Sequence, residues 1–216
     1  MSFFDIGFHG DRYLLKLVDH LLRGPATRFV ETGTNVGSTL AYVARTYPSI
    51  PCWSCEPNAP ACEQARTNIG PCDHVRLFSE SSQSFMQRLD REPVFDKTNT
   101  LFWLDAHGQG FAWPLREEIA WITGTFRSSY VLIDDFRIPG RPEFGFDTYD
   151  GQECSLDYIG PFLAHRERLR LHLPTYSEKT SQHHPLRGWA LLTIDGPAQF
   201  PPPLSDFIVE SPLPEA

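Results

Sequence analysis

The chain has 216 residues, with 19 basic and 27 acidic side chains and a formal net charge of −8. That acidity argues against a nucleic-acid partner, because phosphate contacts need clustered Lys and Arg. No apolar run reaches about 18 residues and no basic segment precedes an apolar one, so neither a membrane span nor a secretory signal is indicated, and a cytoplasmic location is the default.

The spacing of Leu14, Leu15, Leu17, Val18, Leu21 and Leu22 predicts an amphipathic helix over 11–22, ending before Gly24-Pro25. With its flanks (1–24) it reads as a helical cap on the substrate side or against a homo-oligomer partner. Next, Arg28-Phe29-Val30-Glu31-Thr32 forms an apolar run that meets Gly33-Thr34-Asn35-Val36-Gly37, and a helix is expected from Ser38 to Tyr47. Glycines at such a turn allow left-handed backbone and close approach, and the first N–H groups of the helix are free to meet a ligand. The spacing differs from the dinucleotide pattern G-x-G-x-x-G. Glu31, just before the first glycine, would repel a phosphate and attract an ammonium or sulfonium. Glu31, Gly33, Thr34, Asn35, Gly37 and Ser38 are therefore candidate cofactor contacts; the plain alternative is a tight turn with no ligand.

Residues 51–55 read as a buried strand ending at Glu56, with a helix over 59–69. An acid at the end of the second strand of a doubly wound sheet suits a ribose diol, although a helix N-terminus also favours it. Cys52, Cys55, Cys62 and Cys72 have zinc-like spacing, but the first pair lies on the presumed strand, where alternate positions face opposite ways. Five cysteines without a secretory signal predict reduced thiols. A third strand is expected over 74–78, with Ser79, Glu80 and Ser81 leading to a helix over 85–89 that Ser81 caps.

Residues 99–104 form a buried strand ending in Asp105-Ala106-His107, a helix follows over 114–123, and 129–133 form a strand ending in Asp134-Asp135. Ligands of open parallel sheets sit beyond the carboxyl ends of the strands, so these acids should converge with Glu31 and Glu56. Three carboxylates in a small volume repel, and a hard cation such as Mg²⁺ or Mn²⁺ would relieve the repulsion. Asp105, Asp134 and Asp135 are thus the expected metal ligands. The stretch 136–158 reads as a lid, in which Phe144, Phe146, Tyr149 and Tyr158 either meet the acceptor or staple the loop, and Arg137 and Arg141 either read an anionic acceptor or lie on the surface. Two terminal strands are expected over 169–173 and 188–194, flanking a polar loop with His183 and His184. A Pro-rich extended tail is expected over 196–216.

From Phe29 to Phe136 this order of glycine turn, second acid and strand-end acids resembles the class I S-adenosylmethionine-dependent methyltransferases. Within them it is similar to the metal-dependent O-methyltransferases of the macrocin and catechol types. The resemblance implies an α/β, three-layer Rossmann-like methyltransferase fold in a single domain (1–216), its mostly parallel seven-stranded sheet carrying an antiparallel terminal strand. It also implies Glu31 and Gly33 at the methionine end of S-adenosylmethionine, Ser79, Glu80 and Ser81 beside the adenine, and Mg²⁺ (or Mn²⁺) on Asp105, Asp134 and Asp135. The implied reaction is methyl transfer to a hydroxyl of a small acceptor such as a sugar, a phenol or a natural product. The catechol type carries a lysine base three residues after the first metal acid, where this chain has Gly108. His107, with Asp105, is then the candidate catalytic pair, as a base of near-neutral pKa or as a further metal ligand. The Asp-Ala-His string is also similar to the dimanganese ureohydrolases, but Gln109 stands where the next aspartate ligand would be. A cofactor-binding protein without catalysis and a metal-dependent hydrolase remain as readings of other classes.

Overall fold

The computed structural model describes residues 6–107, 113–178 and 184–213. Its first helix, α1 (Arg12–Arg23), begins where the Asp11 carboxylate accepts the N–H groups of Tyr13 and Leu14, and it ends at Gly24. Strand β1 (Arg28–Thr32) leads through the glycine turn to α2 (Ser38–Thr46). Then β2 (Cys52–Cys55) is followed by α3 (Ala59–Ile69), which Asn58 caps, and β3 (Val75–Phe78) by α4 (Ser82–Arg91), which Ser81 caps. Strand β4 (Thr100–Leu104), helix α5 (Leu115–Thr125) and strand β5 (Ser129–Asp134) complete the alternation.

These five strands are parallel and lie in the order β3-β2-β1-β4-β5. Phe29, Val30, Leu101, Phe102, Trp103, Val131 and Leu132 are buried on both faces. Such uninterrupted apolar strands are stable only where helices cover the sheet on each side, which strand-helix alternation provides.

After β5 the chain forms a small hairpin, β6 (Thr148–Tyr149) and β7 (Gln152–Glu153), and a short helix, α6 (Leu156–Ile159). The sheet then turns antiparallel through β8 (Leu169–Pro174) and β9 (Trp189–Ile194), with β9 inserted between β5 and β8 and antiparallel to both. An eighth strand, β10 (Ile208–Ser211), pairs antiparallel with the free edge of β8. The seven-stranded expectation is corrected by this edge strand, and so is the reading of 196–216 as an extended tail. Leu204 and Phe207 are buried, and the Phe207 ring lies 4.9 Å from that of Tyr13 on α1, which ties the segment down.

All five cysteines are free; Cys52, Cys55, Cys62 and Cys154 are buried. None joins a metal-ligand cluster among the described residues, so the zinc spacing has no counterpart there. No described helix is long and apolar enough to cross a membrane.

Candidate active site

The carboxyl ends of β1 and β4 meet at Gly33. Its φ is +83°, and a Cβ there would lie 2.2 Å from the carbonyl oxygen of Asp105, so this turn requires glycine. The N–H groups of Gly33 and Thr34 both donate to the Cys55 carbonyl at 3.1 Å, which fixes the turn against β2. Strand order reverses between β1 and β4, and the crevice of a doubly wound sheet opens at such a point. Gly37, also left-handed at φ +85°, begins α2 without a side-chain cap and packs on Ala65.

Two acids flank the turn. Glu56 accepts the main-chain N–H of Asn35 at 2.7 Å and that of Asn58 at 2.8 Å, joining the loops after β1 and β2. A carboxylate has about four acceptor positions, so capacity is left for a ligand. Glu31 is fully buried, and Ser54 Oγ donates to it at 2.6 Å. Burial pushes its carboxyl up to about 8, assisted by the charges of Asp105 and Glu56 and offset in part by that hydrogen bond.

A cavity of about 240 Å³ lies beside this turn, lined among others by Gly33, Asn35, Glu56, Ser81, Asp105 and His107. A second, of about 210 Å³, shares Gly33, Asn35, Asp105 and His107 with it and adds Glu31, Thr34, Ser38, His9 and His184. The structure thus gathers nine of the expected residues along one continuous crevice. Ser79, Glu80 and Gly37 do not line either cavity. Glu80 is turned onto Arg88, whose Nε donates to it at 2.6 Å, because the helix following it carries that arginine back to the acid. Asn58, Ser82 and Gln83 line the larger cavity and were not anticipated. The resemblance placed Ser81 beside the adenine, and its neighbours on the first turn of α4 line the same crevice.

At the ends of β4 and β5, every carboxylate has a protein partner. Asp105 Oδ1 lies 2.9 Å from His107 Nε2, and His107 Nδ1 lies 3.1 Å from Asp147. The Tyr149 hydroxyl reaches the same ring nitrogen and donates to Asp147 at 2.9 Å. Asp134 Oδ2 lies 2.6 Å from His9 Nε2. Asp135 accepts from Arg187 Nε, and Arg187 Nη2 donates to Asp147 at 2.6 Å. Burial alone would lower both imidazoles, but their carboxylate partners outweigh it and raise His9 and His107 to about 9. The carboxylates around His107, whose titration was expected near neutral, thus favour its imidazolium form. Burial, with the charge of Asp134, raises Asp105 to about 6 and Asp135 to about 7. For Asp134 burial is outweighed by His9, which holds it below the usual range.

Of the expected metal triad, Asp134 and Asp135 stand together at metal-ligand spacing, with His9 rather than Asp105 as the third member. Among the described residues, the sets at metal-ligand spacing are His9, Asp134 and Asp135, and His107, Asp135 and Asp147; Asp105 belongs to neither. Mg²⁺ requires near-octahedral oxygen ligands. Here Asp105 is turned to His107 and Asp135 to Arg187, so these residues do not fit it.

His9, Asp147 and Arg187 were not anticipated. They come from the segment before α1, from the long stretch after β5 and from the approach to β9, where no periodic pattern marks them. Arg137 and Arg141 are held locally, by Glu153 and Glu143 respectively. Phe144 is a staple, buried with its ring 5.6 Å from that of Tyr176, and Tyr158 stacks on Trp113 at 4.2 Å. Tyr149 alone of the four expected aromatics hydrogen-bonds within the His107–Asp147 cluster; Phe146 is half-buried with Arg137 over its ring. Gly108, Gln109 and His183 lie outside the described residues.

No protein-family model and no curated protein matches the chain. Solved structures are similar to it. The O-methyltransferase TomG from Streptomyces achromogenes, involved in tomaymycin synthesis and solved in complex with SAM, superposes with a TM-score of 0.61 at 20% identity, over 85% of this chain and 79% of that one. An O-methyltransferase from Bacillus cereus in complex with SAH gives 0.60 at 16% identity, over 84% and 79%. Cofactor-bound Rv0187 from MTB gives 0.61 at 20% identity, over 85% and 78%. These likenesses establish the Rossmann-like methyltransferase fold.

Proposed function

We propose that the protein transfers the methyl group of S-adenosylmethionine to a hydroxyl of a small acceptor. The observation that carries this reading is the crevice at Gly33, where two abutting cavities meet between Glu31 on one strand end and Asp105 on the next. Two proteins of similar fold have been solved with SAM or SAH bound. In the larger cavity Glu56 accepts hydrogen bonds from the ribose hydroxyls, and Ser81, Ser82 and Gln83 surround the adenine. The sulfonium lies toward Glu31, whose buried carboxyl gains a positive partner on binding. The acceptor enters the smaller cavity, among His9, His107 and His184.

Methyl transfer needs the acceptor oxygen, the methyl carbon and the sulfur in line. Holding them so contributes several kcal/mol, because the encounter is already made. As the oxygen–carbon bond forms and the carbon–sulfur bond breaks, the acceptor loses its hydroxyl proton. The Asp105 carboxylate, which lines both cavities and whose Oδ1 is held by His107 Nε2, takes that proton, and Tyr149 and Asp147 hold the far side of the His107 ring. A divalent cation has no part in this reading, since the residues expected to hold it already carry protein partners.

Calorimetric titration of the purified chain with S-adenosylmethionine tests the central step. Binding with a Kd of about 1–100 μM is expected for the wild type, weakened at least about tenfold in Glu56→Gln. A wild-type protein that shows no binding would overturn the reading.

A further inference from the structure

We infer that Arg187 stands in the place of a divalent cation, joining the carboxylates of Asp135 and Asp147, so that the site binds no catalytic metal. Repulsion among acids at the strand ends must be relieved by some positive charge. Here three side chains provide it: Arg187 for Asp135 and Asp147, His9 for Asp134, and His107 for Asp105.

Arg187 is built into this position by its backbone. The Gly145 N–H donates to the Leu186 carbonyl at 2.9 Å, and the Gly188 N–H returns to the Gly145 carbonyl at 2.8 Å. On the other side the Phe136 N–H donates to the Gly188 carbonyl at 2.9 Å. A Cβ on Gly188 would lie 1.9 Å from the Phe136 carbonyl oxygen, so the two segments are in direct contact. The guanidinium therefore leaves a fixed point and spans Asp135 and Asp147 with its Nε and Nη2. Its planar fork of donors suits two carboxylates better than a point charge would. Asp147 is further committed, accepting from Tyr149 at 2.9 Å. A metal ion entering the shared set of His107, Asp135 and Asp147 would have to displace the guanidinium and would face its charge at short range.

Mn²⁺ binding to the chelator-stripped full chain, read by electron paramagnetic resonance, tests this without cofactor or acceptor. Wild type is expected to leave Mn²⁺ free at about 100 μM, whereas Arg187→Met binds it at least about tenfold more tightly, and Arg187→Met with Asp135→Asn loses that gain. Arg187→Lys keeps a positive charge and is expected to behave as wild type, which separates charge from folding if Arg187→Met is unstable. Tight Mn²⁺ binding by wild type that Asp135→Asn abolishes would overturn the proposal, as would Arg187→Met binding no better than wild type. The consequence for turnover rests on the methyltransferase reading: the wild-type rate should be unchanged in chelator, and a loss restored by Mg²⁺ would overturn it. Failure of that reading itself appears separately, as absence of S-adenosylmethionine binding with the Mn²⁺ result intact.

Discussion

Burial pushes the carboxyl of Glu31 up to about 8, and the hydrogen bonds from Ser54 and Thr34 offset only part of that rise. At pH near 7 the free protein therefore holds a proton there, and a sulfonium arriving beside it favours the ionised form. Binding of S-adenosylmethionine should release this proton. Calorimetry at about pH 7 in buffers of different ionisation heat should show a buffer-dependent enthalpy approaching one proton, absent in Glu31→Gln and fading above about pH 9. Affinity should rise with pH up to about 8 and level beyond, because the acid no longer has a proton to lose. An enthalpy independent of buffer at pH 7 would exclude this role. Glu31, Gly33 and Glu56 could be found in the sequence because their meaning is local: an acid, a turn that only glycine fits and a second strand end. The direction in which Asp105 turns is not local. It depends on His107, Asp147 and Tyr149 meeting across more than forty positions, which no spacing rule encodes.

Among the elements, the segment before α1 is the most constrained. Phe8 and His9 both have left-handed backbone, at φ 52° and 56°, a conformation that side chains disfavour. Phe8 is fully buried, with its ring 4.9 Å from Trp103, 6.1 Å from Tyr42 and 6.3 Å from Phe29, and this anchor presents His9 to Asp134. Phe8→Ala should cost about 3–5 kcal/mol of stability in denaturant unfolding, through lost burial and the cavity left behind. It should also release the His9 ring, seen as a return of its titration toward the ordinary histidine range. A loss below about 1 kcal/mol would show that the sheet does not depend on the anchor. The strongly periodic helix α1, and strands with continuous apolar runs such as β4 and β5, were legible in the sequence to within a residue or two. The two-residue strands β6 and β7 have too few positions for alternation to register, and β10 was hidden by the prolines before it.

Across the whole molecule the raised carboxyls and histidines pull stability in one direction, while lowered groups, among them Asp134, Asp147 and His172, pull the other way. Glu31, Glu118, Asp105 and Asp135 are raised to about 8, 7, 6 and 7, so each holds a proton more tightly in the fold than in the unfolded chain. Their contributions are complete below the ordinary carboxylate range and are lost as pH rises through those values. His9 and His107, raised to about 9, contribute fully below about 6.5 and lose their contribution as pH rises through 9. Asp134, held low, acts oppositely, its contribution being lost only as pH falls below the ordinary range. The melting temperature should therefore decline from about pH 5 to about pH 9, with a separate fall in strong acid. A melting temperature that climbs toward pH 8 would contradict these assignments.

The position of β9 has a consequence for the chain as it is made. Strands β1 to β5 are complete by residue 134, yet the strand that covers the outer edge of β5 spans 189–194 and must be reached through β8's own segment. Synthesis proceeds at roughly 5–20 residues per second, so the emerging protein carries its ligand crevice and an open, apolar sheet edge together for some seconds. During that interval the edge of β5 is a template for any passing extended segment. An extended neighbour that reached this edge first would compete with the chain's own β9 for the same hydrogen-bonding groups.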